Sequence, residues 1–193
     1  WDKGNNDDFN SGPGSHDFEY IELYIREVCS FLKIKKNLIV TDLGCGDFNI
    51  GSKIFKYSKQ YIAVDIVEDL IDRNRKKYKS DKLKFLSIDI IIDDIPIGDC
   101  LLIKEVLQHL TNNEIKVILS KIKNYKYIFI TESEPLFDLI PNIDKVKGPD
   151  CRTDLKSAVL IDESPFNFKY KTKRELLRIK REDRFLVTTL YKN

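Results

Sequence analysis

A chain of 193 residues, 42% hydrophobic and 33% charged, is long enough for one domain with a proper core and too apolar for a disordered or fibrous protein. Its 33 basic and 31 acidic residues leave a net charge of +2, so it lacks the global field that draws proteins onto nucleic acid, and a small or locally charged ligand is expected. No apolar run approaches the roughly 20 residues needed to span a bilayer, and Cys29, Cys45, Cys100 and Cys151 are spaced too widely for a zinc knuckle or a redox pair. These features predict a reducing, cytoplasmic setting, no membrane partner and no bound metal, and they leave the oligomeric state open.

In chain order, residues 1–16 are rich in Gly, Asn, Asp and Ser. They read as a flexible arm that either trails in solvent or closes as a lid, with residues 17–193 forming a single domain. Phe18, Ile21, Ile25, Val28 and Leu32 recur at helical spacing and predict an amphipathic helix over 17–33. Strands are expected over 38–43, 61–65, 83–88, 100–103 and 127–131, alternating with helices over 49–57, 68–78 and 112–122. This alternation implies right-handed crossovers and an α/β fold, with a doubly wound, mostly parallel, seven-stranded sheet carrying helices on both faces. Ligands bind such sheets at the C-terminal strand edge. Residues 135–170 show no helical stripe. Runs near 175–180 and 185–191 close the sheet as a C-terminal β-hairpin, with Arg181, Glu182 and Asp183 at its turn. The basic runs 73–79 and 169–174 read as solvated surface.

The first strand runs into Asp42-Leu43-Gly44-Cys45-Gly46-Asp47, where two glycines let the backbone turn sharply and approach a ligand closely. The dinucleotide fingerprint needs a third glycine at position 49, but Asn49 stands there, which counts against a nicotinamide cofactor. Asp42 would repel a pyrophosphate and attract a cationic aminoacyl group. On these residues the chain resembles the class I S-adenosylmethionine-dependent methyltransferases, whose first motif reads acidic-x-Gly-x-Gly. Phe48 occupies the place of a further small residue of that motif. The resemblance extends to Ala63-Val64-Asp65 and Ser87-Ile88-Asp89, which close the second and third strands. It implies a Rossmann-like fold and S-adenosylmethionine as cofactor, with S-adenosylhomocysteine as product. In the family the first of these acidic residues holds the ribose hydroxyls and the second contacts the adenine. The implied cofactor set is Asp42, Gly44, Cys45, Gly46, Asp65, Ile66, Asp89, Ile90 and Lys104. The alternative for Asp65 and Asp89 is that they only cap strand ends or the helices that follow.

After the fourth strand, Lys104-Glu105-Val106-Leu107-Gln108-His109-Leu110 is similar to the Leu-Gln-His-Leu run of many small-molecule methyltransferases. The resemblance covers about residues 38–132. No Asn-Pro-Pro-Tyr-like motif of the nucleobase methylating members follows. His109 suits a general base at neutral pH; its alternative role is packing at the turn into the next helix. Gln108, His109 and Arg152 are candidate acceptor-binding residues, since an arginine fork suits carboxylate or phosphate. His16, in the arm, either closes over the site or stands by at the surface. The leading reading is methyl transfer to an oxygen of a small-molecule or sugar-like acceptor. Competing readings are a nitrogen or protein methyltransferase, a non-catalytic S-adenosylmethionine-binding module, and a protein that binds a nucleotide sugar or nicotinamide.

Overall fold

A computed structural model describes Phe9 and residues 11–193. The rest of the predicted arm, residues 1–8 and Asn10, lies outside the described residues. The chain divides into two compact units between Leu101 and Leu102.

The first unit begins with α1 (Pro13–His16), a short helix where only an irregular arm was expected, followed by α2 (Phe18–Lys35). Of the stripe predicted for α2, Ile21, Val28 and Leu32 are buried, joined by Tyr24 and Cys29, while Phe18 is exposed and Ile25 half-buried; each large aliphatic side chain removed from water contributes about 1.5–3 kcal/mol. Then come β1 (Ile39–Leu43), α3 (Gly51–Ile54) with a 3-10 turn at Phe55–Tyr57, β2 (Gln60–Asp65), α4 (Glu68–Lys77) and β3 (Leu83–Ser87). The predicted helix over 49–57 is thus a shorter helix that tightens into the 3-10 turn. β1 pairs parallel with β2 in a register that sets Asp42 beside Ala63, and β2 pairs parallel with β3, setting Asp65 beside Ser87. Every residue of β2 after Gln60 is buried, as expected for a parallel strand covered on both faces.

β4 (Cys100–Lys104) spans the division. The second unit continues with a 3-10 turn (Leu107–His109), α5 (Asn112–Lys121) and β5 (Tyr127–Pro135). A capping box starts α5: Thr111 accepts the Glu114 N–H while Glu114 reaches back to the Thr111 N–H. The short β6 (Ile140–Pro141) and β7 (Ser157–Ala158) pair parallel, and a 3-10 turn spans Arg152–Leu155 between them. β8 (Thr172–Lys180) and β9 (Arg184–Lys192) form the expected hairpin, with a bulge between Glu175 and Leu177. β9 runs antiparallel to β5 from Tyr127↔Lys192 to Pro135↔Arg184. This long ladder carries β5 four residues past its predicted end at Thr131, because β9 supplies backbone partners for residues that look too polar for a strand. The seven-stranded sheet has the order β3-β2-β1-β4-β5-β9-β8, mostly parallel with the C-terminal hairpin expected from the sequence. Among the described residues no helix is long and apolar enough to cross a membrane.

Candidate functional site

In the first unit the chain leaves β1 and folds back on β2. The N–H groups of Gly44 and Cys45 both donate to the Val64 carbonyl, each at 2.9 Å. Gly44 and Gly46 have φ values of 75° and 54°, the left-handed region that glycine enters without steric cost. The Gly46 N–H donates to Asp65 Oδ2 at 3.0 Å, and the Val67 N–H donates to Asp65 Oδ1 at 3.1 Å. Asn74, fully buried, donates to the Gly46 carbonyl at 2.8 Å. Arg73 donates to the Asp47 carbonyl, also at 2.8 Å.

Phe48 accounts for the loop's departure from the usual small residue. It holds φ 64°, a conformation few side chains adopt, while its ring is fully buried. The ring meets Phe85, Tyr78 and Tyr61 edge-on at centroid distances of 4.8, 5.0 and 5.7 Å. A Cβ on Gly51 would come within 2.3 Å of this ring. The small residue is therefore needed three positions later, where the aromatic ring passes beneath the chain.

The loop is electronegative. Tyr61 donates its hydroxyl to Asp42 at 2.8 Å. Burial pushes the Cys45 thiol well above its ordinary pKa, and the charges of Asp42, Asp65 and Asp47 push it further the same way, so it is a neutral thiol. Burial likewise raises the Asp65 carboxyl, against the lowering effect of the N–H groups of Val67, Gly46 and Ile66. Each Asp65 oxygen accepts one of the two backbone hydrogen bonds described, and a carboxylate oxygen can accept two, so the capping role leaves acceptor capacity. Ile66 follows it 59% exposed. Asp89 and Ile90 are half-buried. Asp89 closes its own turn, accepting the Ile91 N–H at 2.9 Å and donating its N–H to Asp93 at 2.9 Å.

Asp47, which has no role from sequence, holds Ser11 and His16 of the arm. It is 3% exposed and accepts from the Ser11 N–H at 3.1 Å, the Asn49 N–H at 3.0 Å and the His16 ring. Its own N–H donates to Ser11 Oγ at 2.7 Å, and Asn49 donates to the Ser15 carbonyl at 2.6 Å. Burial would raise the Asp47 carboxyl, but the hydrogen bonds from His16, Asn49 and Ser11 outweigh it and hold the pKa below the ordinary value.

In the second unit Lys104 pairs with the adjacent Glu105, whose backbone lies at φ 53° and donates its N–H to Thr131 at 2.7 Å. The chain then enters the turn carrying Gln108 and His109. Gln108 is 3% exposed, and its amide oxygen accepts the Ser133 N–H at 3.2 Å. Its Nε2 lies 3.5 Å from His109 Nε2. His109 is half-buried. Burial lowers its pKa, Lys145 adds to the effect, and Gly148, Glu105 and Pro149 oppose it, so the ring is neutral at pH 7 and able to take a proton. Arg152 is 1% exposed, and its guanidinium donates to the carbonyls of Ile143 and Leu110, the latter at 2.6 Å. Those bonds tie loops together inside the unit. No group of three or more His, Cys, Asp or Glu among the described residues is arranged to hold a metal ion.

Sequence reasoning missed Glu132. Fully buried in β5, it accepts the N–H groups of Leu107, Gln108 and Val106 at 2.8, 3.1 and 3.3 Å. Burial pushes its pKa up to about 8 despite these donors, with Glu105 adding to the rise. A carboxylate directly after the apolar run Ile128-Phe129-Ile130-Thr131 was the available signal, since ionisable residues are almost never fully buried without partners.

No protein-family model and no curated protein matches the sequence. Solved structures do match. The chain is similar to the N-methyltransferase NodS from Bradyrhizobium japonicum WM9 in complex with S-adenosylhomocysteine, with a TM-score of 0.64 at 11% identity over 89% of this chain and 86% of that one. The methyltransferase domain of bacterial CtHen1 gives 0.64 at 15% identity, covering 89% and 98%. The magnesium protoporphyrin IX methyltransferase ChlM from Synechocystis PCC 6803 with bound S-adenosylmethionine gives 0.61 at 14%, covering 96% and 86%. Structures retain a common fold well below the identity at which activity can be read across. The chain has the fold of the class I S-adenosylmethionine-dependent methyltransferases.

Proposed function

We propose that the protein is an S-adenosylmethionine-dependent methyltransferase acting on an oxygen of a small-molecule or sugar-like acceptor, with residues 17–193 as its functional domain. The observation that carries this reading is the set of three acidic side chains in and beside the glycine loop, Asp42, Asp47 and Asp65, the last accepting the Gly46 N–H. Such a loop repels a pyrophosphate and favours a ligand with an ammonium and a sulfonium.

S-adenosylmethionine, when bound, supplies a methyl group on a sulfonium, which is electrophilic without further activation. The chain's residues bind and orient it. Asp65 has acceptor capacity for ribose hydroxyls, and charge-assisted hydrogen bonds of this kind are the strong ones. Exposed Ile66 offers an apolar face for the purine. Ile90 and Asp89 belong to the same candidate set. Gly44 and Gly46 keep the backbone free of side chains where the ligand approaches. His109, neutral at pH 7 because it is buried, is the candidate base for the acceptor hydroxyl proton.

Calorimetry with S-adenosylmethionine, S-adenosylhomocysteine and NAD tests the cofactor. Selective binding of the first two is expected, and selective binding of NAD would overturn the reading. Labelled methyl transfer to an acceptor panel then identifies the acceptor atom. His109→Ala is expected to lower turnover on an oxygen acceptor by about 100-fold or more, and unchanged turnover would remove His109 as the base. A nitrogen acceptor is the second reading, favoured by the likeness to the N-methyltransferase NodS; a neutral amine needs no base in the transfer step.

A further inference from the structure

We propose that Glu132 and Arg152 are positioning residues that mount His109, by clamping opposite ends of its single-turn 3-10 helix, one as acceptor and the other as donor. The inference rests on the methyltransferase reading, in which His109 handles the acceptor proton; it adds Glu132 and gives Arg152 a supporting part in place of an acceptor-binding one.

Five consecutive backbone positions are held. Glu132 takes the N–H groups of Val106, Leu107 and Gln108. The His109 carbonyl accepts the Gly148 N–H at 3.0 Å, and the Leu110 carbonyl accepts from Arg152. Unsatisfied N–H groups gather at the start of a helical turn and unsatisfied carbonyls at its end, so a side-chain acceptor belongs at the first and a guanidinium donor at the second.

Burial lowers the Arg152 pKa, and the nearby Asp144 and Glu132 oppose that effect. The Glu132 and Arg152 side chains are almost wholly removed from water, and burying a charge costs several kcal/mol unless partners compensate. Neither has a salt-bridge partner within reach among the described pairs; what they share is the turn between them. Gln108 extends the mount through Ser133, the residue after Glu132. Such a mount fixes the imidazole through the backbone on either side of it, which matters because a misplacement of about 1 Å can cost 100-fold in rate.

The chain has two histidines, His16 and His109, so their imidazole signals are separable by NMR in protein carrying labelled histidine, with His109→Ala assigning the pair. In Glu132→Gln the proposal expects a shifted His109 signal and titration midpoint. It also expects at least about a tenfold loss of amide-exchange protection at residues 106–108, with S-adenosylhomocysteine affinity within about twofold of wild type. Arg152→Lys, which keeps the charge and loses the fork, is expected to move His109 the same way by less. On the acceptor identified by labelled transfer, Glu132→Gln is expected to lower kcat about 100-fold with the KM for S-adenosylmethionine nearly unchanged.

A Glu132→Gln protein that binds S-adenosylhomocysteine but leaves the His109 signal, midpoint and amide protection as in wild type would overturn the proposal. If that variant does not fold, Arg152→Lys decides: a moved His109 midpoint supports the clamp and an unmoved one overturns it. Wild-type protein that binds no S-adenosylhomocysteine would instead overturn the methyltransferase reading, while the NMR comparison would still report on the clamp.

Discussion

Two loops in this protein, one in each unit, are held by a buried carboxylate that accepts backbone N–H groups. Asp65 takes those of Gly46 and Val67; Glu132 takes those of Val106, Leu107 and Gln108. In both, burial raises the carboxyl pKa against the pull of the donors. The surroundings differ. Asp65 lies at a strand end beside two glycines and an exposed isoleucine, and its two donors come from two different loops. Glu132 takes its three donors from one run of consecutive residues, Val106 to Gln108. The proposed roles differ accordingly, cofactor recognition at Asp65 and internal support at Glu132.

Phe48→Ala should have the largest effect, because the glycine loop rests on this ring. Loss of a buried aromatic costs about 3–5 kcal/mol, read as a lower denaturant midpoint. A loss below about 1 kcal/mol would mean that the loop's own hydrogen bonds hold it. Asp65→Asn should follow, weakening S-adenosylhomocysteine binding by about 2 kcal/mol, or about 30-fold by calorimetry. A fully retained affinity would make Asp65 a pure cap and erase its contrast with Glu132.

The third effect is a slope rather than a step. The folded-state pKa of Glu132, about 8, lies above its ordinary value of 4.5. Its contribution to stability is therefore fully present below pH 4.5 and is lost as pH rises through about 8. Glutamine does not titrate, so the stability gap between wild type and Glu132→Gln should narrow over that range. Urea unfolding at several pH values reads the gap, and a gap that stays level between pH 4.5 and about 8 would show that Glu132 is held ionised.

The two loops also differ in how far they could be read from sequence. Asp42, Gly44 and Gly46 lie within five residues, and Asp65 closes the next strand, so local order carried both the turn and the sign of its charge. Phe48 looked like a weak point of the motif, because nothing local says that its ring passes under Gly51. Arg152, expected to bind an acceptor, spends its guanidinium on interior carbonyls. An arginine in a polar loop carries no sign of its burial. Lys104 pairs with its neighbour Glu105, as side-by-side opposite charges at a strand end allow.

The sequence by itself determined the alternation of strands and helices, the hairpin that ends the sheet and the acidic glycine loop, because each is written in the spacing of neighbouring residues. Only the tertiary structure decided what supports the His109 turn. Leu107 and Glu132 are 25 positions apart, and Leu110 and Arg152 are 42 apart. Packing alone brings such groups together, since local periodicity holds no record of which distant carboxylate or guanidinium will meet an exposed backbone end.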